Sequence, residues 1–404
     1  MKIVAVFFGG QTVEHDVSIL TGLQALSALD AQKFHGIPVY IAPDGAWYTG
    51  EALKSRESYL LGEETKKGLA RVGLFAGRPT SGPALTQLER RRLGGLEAKE
   101  IPFDIALPAM HGTGGEDGAL QGLFELCHIP YVGSRPLGSA ATMDKAFTKR
   151  VLMGLGIPVV PFIEVERPAE GAFIEAKVLK ERLDRELTGI PFPLCAKPRD
   201  LGSSVGVTRV EDIDALAAAL VAIFRLDGAA VVEAFVPNLV EYNVAVTRAL
   251  GEATPSVIER PLGKAAVLDF ADKYLQEGGK ASKVEGAVSE GMASAVRIIN
   301  PAELTEDQAR RIRDYAVRAF SAFGLRGSVR IDFLCDAATG EIWLNEINNI
   351  PGSLSYYLWE PSALKLSFTD LLTALVEEGL RAARAARAER SADLAKSVIF
   401  KRRG

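Results

Sequence analysis

The chain has 404 residues, enough for two or three domains of roughly 150 residues that each bury a core. With 48% hydrophobic and 24% charged residues and ordinary Gly and Pro usage, it is not a disordered, collagenous or coiled-coil sequence. The net charge of −4 argues against nucleic acid as a main partner, because binding phosphates takes a clustered surplus of Lys and Arg; a small anionic ligand held by a few placed cations stays open.

The opening run Lys2–Phe8 predicts a strand broken by Gly9-Gly10, and Val17, Leu20, Leu23, Leu26 and Leu29 recur at near-helical spacing behind it. A second β-rich run, Gly36–Ile41, completes a βαβ unit, so a parallel sheet in a three-layer α/β domain is expected first. Residues 51–100 lack clean periodicity and read as a partly helical excursion. Phe103–Pro108 is a further buried strand, running into Met110-His111-Gly112 and the loop Gly114-Gly115-Glu116-Asp117-Gly118. Ligands of open α/β sheets gather at such carboxyl ends. A helix over about 118–127, a strand Pro130–Val132 and a turn Gly133–Gly138 close this domain near residue 138.

From Ser139 the pattern restarts with a helix carrying Met143-Asp144-Lys145, a strand Ile157–Phe162 and a charged helix Glu170–Leu187. Phe192–Lys197 is a strand leading to the loop Gly202-Ser203-Ser204-Val205-Gly206, followed by a strand, a helix over about 211–224 and the strand Ala229–Phe235. Beyond it come Glu241–Leu250 and a helix opened by Thr305 with Gln308 at capping-box spacing. Gly327–Cys335 and Glu341–Glu346 predict an antiparallel pair joined around Thr339-Gly340. A helix from about 368 runs into a basic tail whose Arg381, Arg384, Arg387 and Arg390 read as a solvated face. The three cysteines, Cys127, Cys195 and Cys335, are far apart and outside any CxxC spacing, so a reducing compartment is expected and a disulfide framework or structural zinc site is not. No signal peptide is visible, and no apolar run approaches the ~20 residues of a bilayer span, so the expectation is a cytoplasmic protein without membrane contact.

Strand alternation puts Arg330 and Asp332 on one face of the terminal pair, and Glu346 and Asn348 likewise share a face. Two carboxylates and an amide oxygen are hard ligands suited to Mg²⁺, which binds a few carboxylates plus substrate phosphates. The competing reading is a surface cross-strand pair of Arg330 with Glu346, contributing under about 1 kcal/mol. Lys197 ends a strand six residues before Ser203, and the glycine–serine loop could fold its N–H groups over polyphosphate, although it has neither Walker nor GxGxxG order. An ordinary mobile turn is the alternative. Taken singly, Lys145 reads as a solvated helix lysine, Glu14 equally as a charge favouring a helix start or as the anion for a substrate ammonium, and His111 equally as a structural or a functional histidine.

Together these residues resemble the D-alanine–D-alanine ligases of the ATP-grasp superfamily. The resemblance rests on Phe8-Gly9-Gly10 with Glu14-His15, on His111-Gly112 through Glu116-Asp117-Gly118, on Met143-Asp144-Lys145, and on Lys197-Pro198 with Gly202-Ser203-Ser204-Val205-Gly206. It continues through Asp272-Lys273-Tyr274, Arg330-Ile331-Asp332-Phe333 and Asn345-Glu346-Ile347-Asn348 with Pro351-Gly352, in the family's order over almost the whole chain. It implies an N-terminal parallel α/β substrate domain (1–138) and a two-lobed, α+β ATP-grasp part: a central lobe (139–228) and a C-terminal lobe (229–380) with a lid at about 270–300. The basic tail covers 381–404.

The resemblance also implies ATP-dependent joining of two D-alanines through an acyl phosphate, for peptidoglycan precursor synthesis, by a homodimer. Asp332, Glu346 and Asn348 would hold two Mg²⁺ (or Mn²⁺). Lys145 and Lys197 would meet the α- and β-phosphates and Lys273 the γ-phosphate, with Ser203 and Ser204 over the nucleotide. Glu233, Phe235 and Val236 would receive adenine and Glu241 the ribose. Arg330 and the Gly352 N–H would stabilise the oxyanion, Glu14 and His111 would bind the first substrate, and Glu14 would join Ser203 and Tyr274 in a lid-closing triad. The second substrate would fall to Tyr357 and Leu358. Family members usually carry serine where Tyr357 stands, so another second D-amino acid or a hydroxy acid is the alternative. The segment Leu275–Ile299 is also longer than expected for the lid.

Overall fold

The computed structural model describes residues 1–60, 68–75, 82–90, 96–169, 174–262 and 296–396. Strand β1 (Lys2–Gly9) and helix α1 (His15–Ala28) lead to β2 (Phe34–Ile41), which lies parallel to β1 as the βαβ reading expects. Next come β3 (Trp47–Thr49), a 3₁₀ turn (Glu51–Lys54), the one-turn α2 (Glu57–Leu60), β4 (Ala70–Gly73), β5 (Ala84–Arg90), β6 (Leu96–Pro102) and β7 (Ile105–Pro108). The seven strands form one sheet in the order β6-β5-β4-β3-β2-β1-β7, parallel only across β2-β1-β7. Among its described residues the stretch 51–100 opens with the 3₁₀ turn and α2 of the partly helical reading and continues as an antiparallel extension of the first sheet, which that reading did not include.

Past α3 (Ala119–Leu126), the expected strand at 130–132 is a single bridge from Ala106 to Tyr131, and the turn at 133–138 already contains the start of α4 (Pro136–Met143). The single helix expected around Met143-Asp144-Lys145 is two. Asp144 ends α4 and caps α5 (Lys145–Gly154) by accepting from the Phe147 N–H at 2.8 Å. Strand β8 runs from Phe162 to Glu166 rather than from Ile157, because Pro158 and Pro161 remove ladder donors just before it.

Helix α6 (Ala176–Glu186), β9 (Leu194–Pro198), β10 (Thr208–Val210), α7 (Ile213–Ile223) and β11 (Ala229–Ala234) follow. Strands β10-β9-β11-β8 make an antiparallel sheet, and α6 and α7 bury Leu179, Leu183, Leu216 and Leu220 against it. This sheet extends past residue 228, the expected edge of the central lobe. A third, antiparallel sheet is built from β12 (Leu239–Thr247), β13 (Thr254–Pro261), β14 (Arg297–Ile299), β15 (Ser328–Asp336) and β16 (Ile342–Asn348), ordered β14-β13-β12-β15-β16. Helix α8 (Glu306–Ala322) covers it; the Thr305 hydroxyl accepts from the Gln308 N–H, and the Gln308 side chain takes the Thr305 N–H at 3.0 Å, the expected capping box. Residues Ala141, Leu152 and Ile157 join this third core.

A 3₁₀ turn (Gly352–Leu358) and helix α9 (Phe368–Lys396) return the chain to the first sheet. Val4, Val6 and Phe8 point to the face shared by α1 and α9, where Trp359, Leu371, Leu372 and Leu375 are buried. Ala5 and Phe7 point to the opposite face, against Leu120 and Phe124 of α3. Gly379 of α9 comes so close to the Tyr131 backbone that a Cβ there would sit 2.6 Å from its carbonyl oxygen. Among the described residues, no helix is long and apolar enough to cross a membrane.

Candidate active site

The ends of strands from all three sheets converge on one group of polar side chains. On the third sheet Arg330 lies opposite Asn348 and Asp332 opposite Glu346, as alternation requires. Arg330, however, does not pair with Glu346. Its Nε and Nη2 donate to the two oxygens of Asp332, each at 2.7 Å, and Asn348 Nδ2 donates to Asp332 Oδ2 at 2.9 Å. Burial would lower the pKa of Arg330, but the Asp332 carboxylate outweighs it and holds the guanidinium charged. The same row continues across the sheet to Asn243 and Glu259.

From the second sheet, Lys197 at the end of β9 is buried, donating to Glu233 Oε1 at 2.6 Å and Asn345 Oδ1 at 3.1 Å. The other oxygen of Glu233 pairs with Lys149 at 3.0 Å, a fully buried ammonium that sequence reading passed over. Burial alone would push the Glu233 carboxyl up, yet Lys149 and Lys197 together hold it at about 2. Lys145, one turn before Lys149 on α5, donates to the Leu201 carbonyl beneath the glycine–serine loop. Burial lowers its pKa against the opposing pull of Glu346. Phe235 stacks under the Arg209 guanidinium at 4.5 Å, Val236 is buried, and Glu241 is exposed at the start of β12.

The first sheet supplies Glu14 and His111. Glu14 is buried and accepts from the Ser203 hydroxyl, joining the N-terminal segment to the glycine–serine loop, where Ser203 and Ser204 both hold left-handed backbone angles. Gly112 at φ +72° leaves the room this takes, since a Cβ there would lie 2.6 Å from Glu14 Oε2. His111 shares a hydrogen bond with the Thr21 hydroxyl at 2.8 Å, and burial, helped by the Arg330 charge, lowers its pKa to about 4, so it is neutral. His15 is structural, tied to the Gly10 carbonyl and Tyr40. On the 3₁₀ turn, Gly352, Tyr357 and Leu358 are buried. The expected Lys273 and Tyr274, the part of the lid before residue 296 and the end of the basic tail lie outside the described residues; the last lid residues form β14.

Glu116, part of the Glu116-Asp117-Gly118 motif, has a place in the site that spacing does not show. It accepts from the N–H groups of Gly112 at 2.8 Å and Ile350 at 3.2 Å, tying the first-sheet loop to the one after β16. Burial, reinforced by the nearby Glu14, raises its pKa to about 8. The raised value stabilises the fold below the ordinary carboxyl range, and that contribution is lost as pH rises through about 8. Glu116→Gln should therefore gain melting temperature relative to the parent chain as pH rises from about 5 to about 8. A difference in Tm that does not change with pH would overturn this assignment. Lys149 had a legible signal, its i+4 spacing from Lys145 on one helix face; Glu116 had none beyond its motif.

Comparison with known proteins agrees with this geometry. Residues 3–134 match the family described as D-ala D-ala ligase N-terminus and residues 151–377 the one described as D-ala D-ala ligase C-terminus. The chain is 32% identical to the D-alanine--D-alanine ligase of Thermosipho melanesiensis, covering 93% of each chain. It is 33% identical to that of Thermoanaerobacter pseudethanolicus, over 93% of this chain and 95% of the relative. Among solved structures, the D-alanine-D-alanine ligase of Coxiella burnetii superposes with a TM-score of 0.75 at 26% identity, over 98% of this chain and 99% of that one. The VanG D-Ala:D-Ser ligase of Enterococcus faecalis gives 0.72, also at 26% identity, over 94% and 99%.

Proposed function

The chain belongs to the D-alanine–D-alanine ligase family, and from that premise we propose that it joins two D-alanines at the expense of ATP, for cell-wall precursor synthesis, with the convergent side chains dividing the work. A carboxylate is a poor acyl donor, so one carboxylate oxygen of the first D-alanine attacks the γ-phosphorus and ADP leaves. The amino group of the second D-alanine, once its ammonium has lost a proton to water, attacks the acyl carbon; phosphate departs with the C–O electron pair and the nitrogen gives up a second proton to leave the amide. The observation that carries this reading is the meeting of Glu14 with Ser203, and of Arg330 with Asp332 and Asn348, beside the buried lysines 145 and 197.

Lys145 and Lys197 meet the α- and β-phosphates and Lys273 the γ-phosphate. Adenine lies against Phe235 and Val236, with Glu233 as acceptor for its amino group, Glu241 on the ribose, and Ser203 and Ser204 over the phosphates. Glu14 receives the first ammonium, neutral His111 stands near the first carboxylate, and Tyr274 completes the triad with Glu14 and Ser203. Arg330 and the Gly352 N–H face the developing oxyanion, and Tyr357 and Leu358 line the second subsite.

Asp332 and Glu346, opposed across a strand pair, with Asn348 next to them, form an all-oxygen donor set that fits Mg²⁺ or Mn²⁺. When bound there, two such ions would supply positive charge that offsets repulsion between substrate carboxylate and phosphate. The unit division proposed from this reading is 1–138, 139–228 and 229–380, with β11, an interior strand of the central sheet, lying just past the 228 boundary, and the setting is a cytoplasmic homodimer. The test is phosphate release by the purified protein with ATP, Mg²⁺ and a panel of D-amino and D-hydroxy acids. Release with D-alanine alone is expected. Silence with D-alanine and release only when a different second acid is added would replace the reading with the alternative that Tyr357 suggests.

A further inference from the structure

The inference deepens the reaction proposed above, on which it rests, and concerns how the second amino acid is held. Tyr357 is 8% exposed, and its buried hydroxyl has the Ser355 hydroxyl beside it, but neither makes a hydrogen bond of normal geometry with the described residues. Leaving a buried hydroxyl unmatched costs free energy unless a ligand completes it. The ring is not loose. The Arg297 guanidinium lies over it, 3.7 Å from ring centroid to Cζ, and Nη1 of the same arginine pairs with Glu259 Oε2 at 3.3 Å. Glu259 Oε1 in turn accepts from Asn243 Nδ2 at 3.0 Å. With side chains only 10% and 3% exposed, Arg297 and Glu259 form a buried brace running from the sheet to the ring.

A stacked guanidinium fixes a ring's plane, and a carboxylate behind it fixes the guanidinium. Tyrosine reaches farther from the backbone than serine does, so its hydroxyl is useful only if the ring is held in one orientation. We propose that Arg297, pinned by Glu259, is a positioning residue that holds Tyr357 so that its hydroxyl donates to the carboxylate of the second amino acid. Arg330, the cation proposed for the oxyanion, is among the charges that act on the same hydroxyl.

The experiment measures phosphate release against D-alanine concentration, resolving the first-site and second-site KM, for the parent protein, Tyr357→Phe, Arg297→Met, Arg297→Lys and the double variant. Tyr357→Phe and Arg297→Met should each raise the second-site KM about tenfold while the ATP and first-site KM values move less than about twofold. Arg297→Lys should recover part of the loss. The double variant should stay near about tenfold, because both changes remove one hydrogen bond. An unmoved second-site KM, a product near a hundredfold in the double variant, or parallel rises in all three KM values would overturn the proposal. If Arg297→Met fails to fold, Tyr357→Phe and Arg297→Lys still decide it. A parent protein that releases no phosphate with D-alanine overturns the reaction reading itself, whereas an active parent with unmoved variants removes only the brace.

Discussion

Replacing Glu233 with leucine should destabilise the protein by about 3–5 kcal/mol, measured by urea unfolding at neutral pH, because it strands two buried ammonium groups. Lys149 is fully buried and Lys197 nearly so, and each has one oxygen of this carboxylate as its anionic partner. Changing Lys149 to methionine in the same chain should recover part of the loss, since removing a buried charge together with its partner is far less costly than removing one side. The parent protein carries a matching pH signature. The Glu233 carboxyl is held at about 2, below its ordinary 4.5, so its contribution is present above the ordinary value and disappears as pH falls through the lowered one. Glu233→Leu should therefore lose less stability than the parent on moving from neutral to strongly acidic pH; a variant as acid-sensitive as the parent would refute this account.

The second large effect falls on turnover. Glu346→Gln keeps shape and burial but removes one of the two carboxylates opposed across β15 and β16. Loss of one preorganised electrostatic contact at a phosphoryl or acyl transfer site typically costs about 10²–10³ in kcat. A drop of that size is expected, with Tm close to the parent value and the remaining activity needing more Mg²⁺ for saturation. Full activity in Glu346→Gln would remove this residue from the reacting centre. Asp332→Asn is a poorer probe, since it also takes away the bidentate partner of Arg330.

Much of the fold was legible because its strongest signals are local. Lys2–Gly9 is apolar and β-rich, Thr305 and Gln308 announce a helix start, and the 328–348 pair alternates on either side of one bulge opposite Asp332 and Phe333. The extension through β4, β5 and β6 was not legible, because these strands carry charge on both sides and bury only a few residues, such as Val72 and Leu85. The break at Asp144 was hidden because helical residues flank it and only the side chain's cap gives it away. In the site, residues sharing a strand face could be read from spacing alone, and Arg330 with Asp332 is the example. Groups whose meaning lies in a distant partner could not. Arg297 and Glu259 look like ordinary surface charges until Tyr357 and Asn243 are seen beside them, and Glu116 shows its environment only once Glu14 is folded next to it.

The return of the last helix to the first sheet has a consequence for synthesis. The layer that seals Val4, Val6 and Phe8 includes Trp359, Leu371, Leu372 and Leu375, more than three hundred and forty residues downstream. While the ribosome is still translating the middle of the gene, this side of the N-terminal sheet is covered by α1 alone, and the rest of its oily surface waits until the carboxyl end emerges. A fragment cut after the first domain inherits that exposed surface permanently, so this domain is finished last although it is made first.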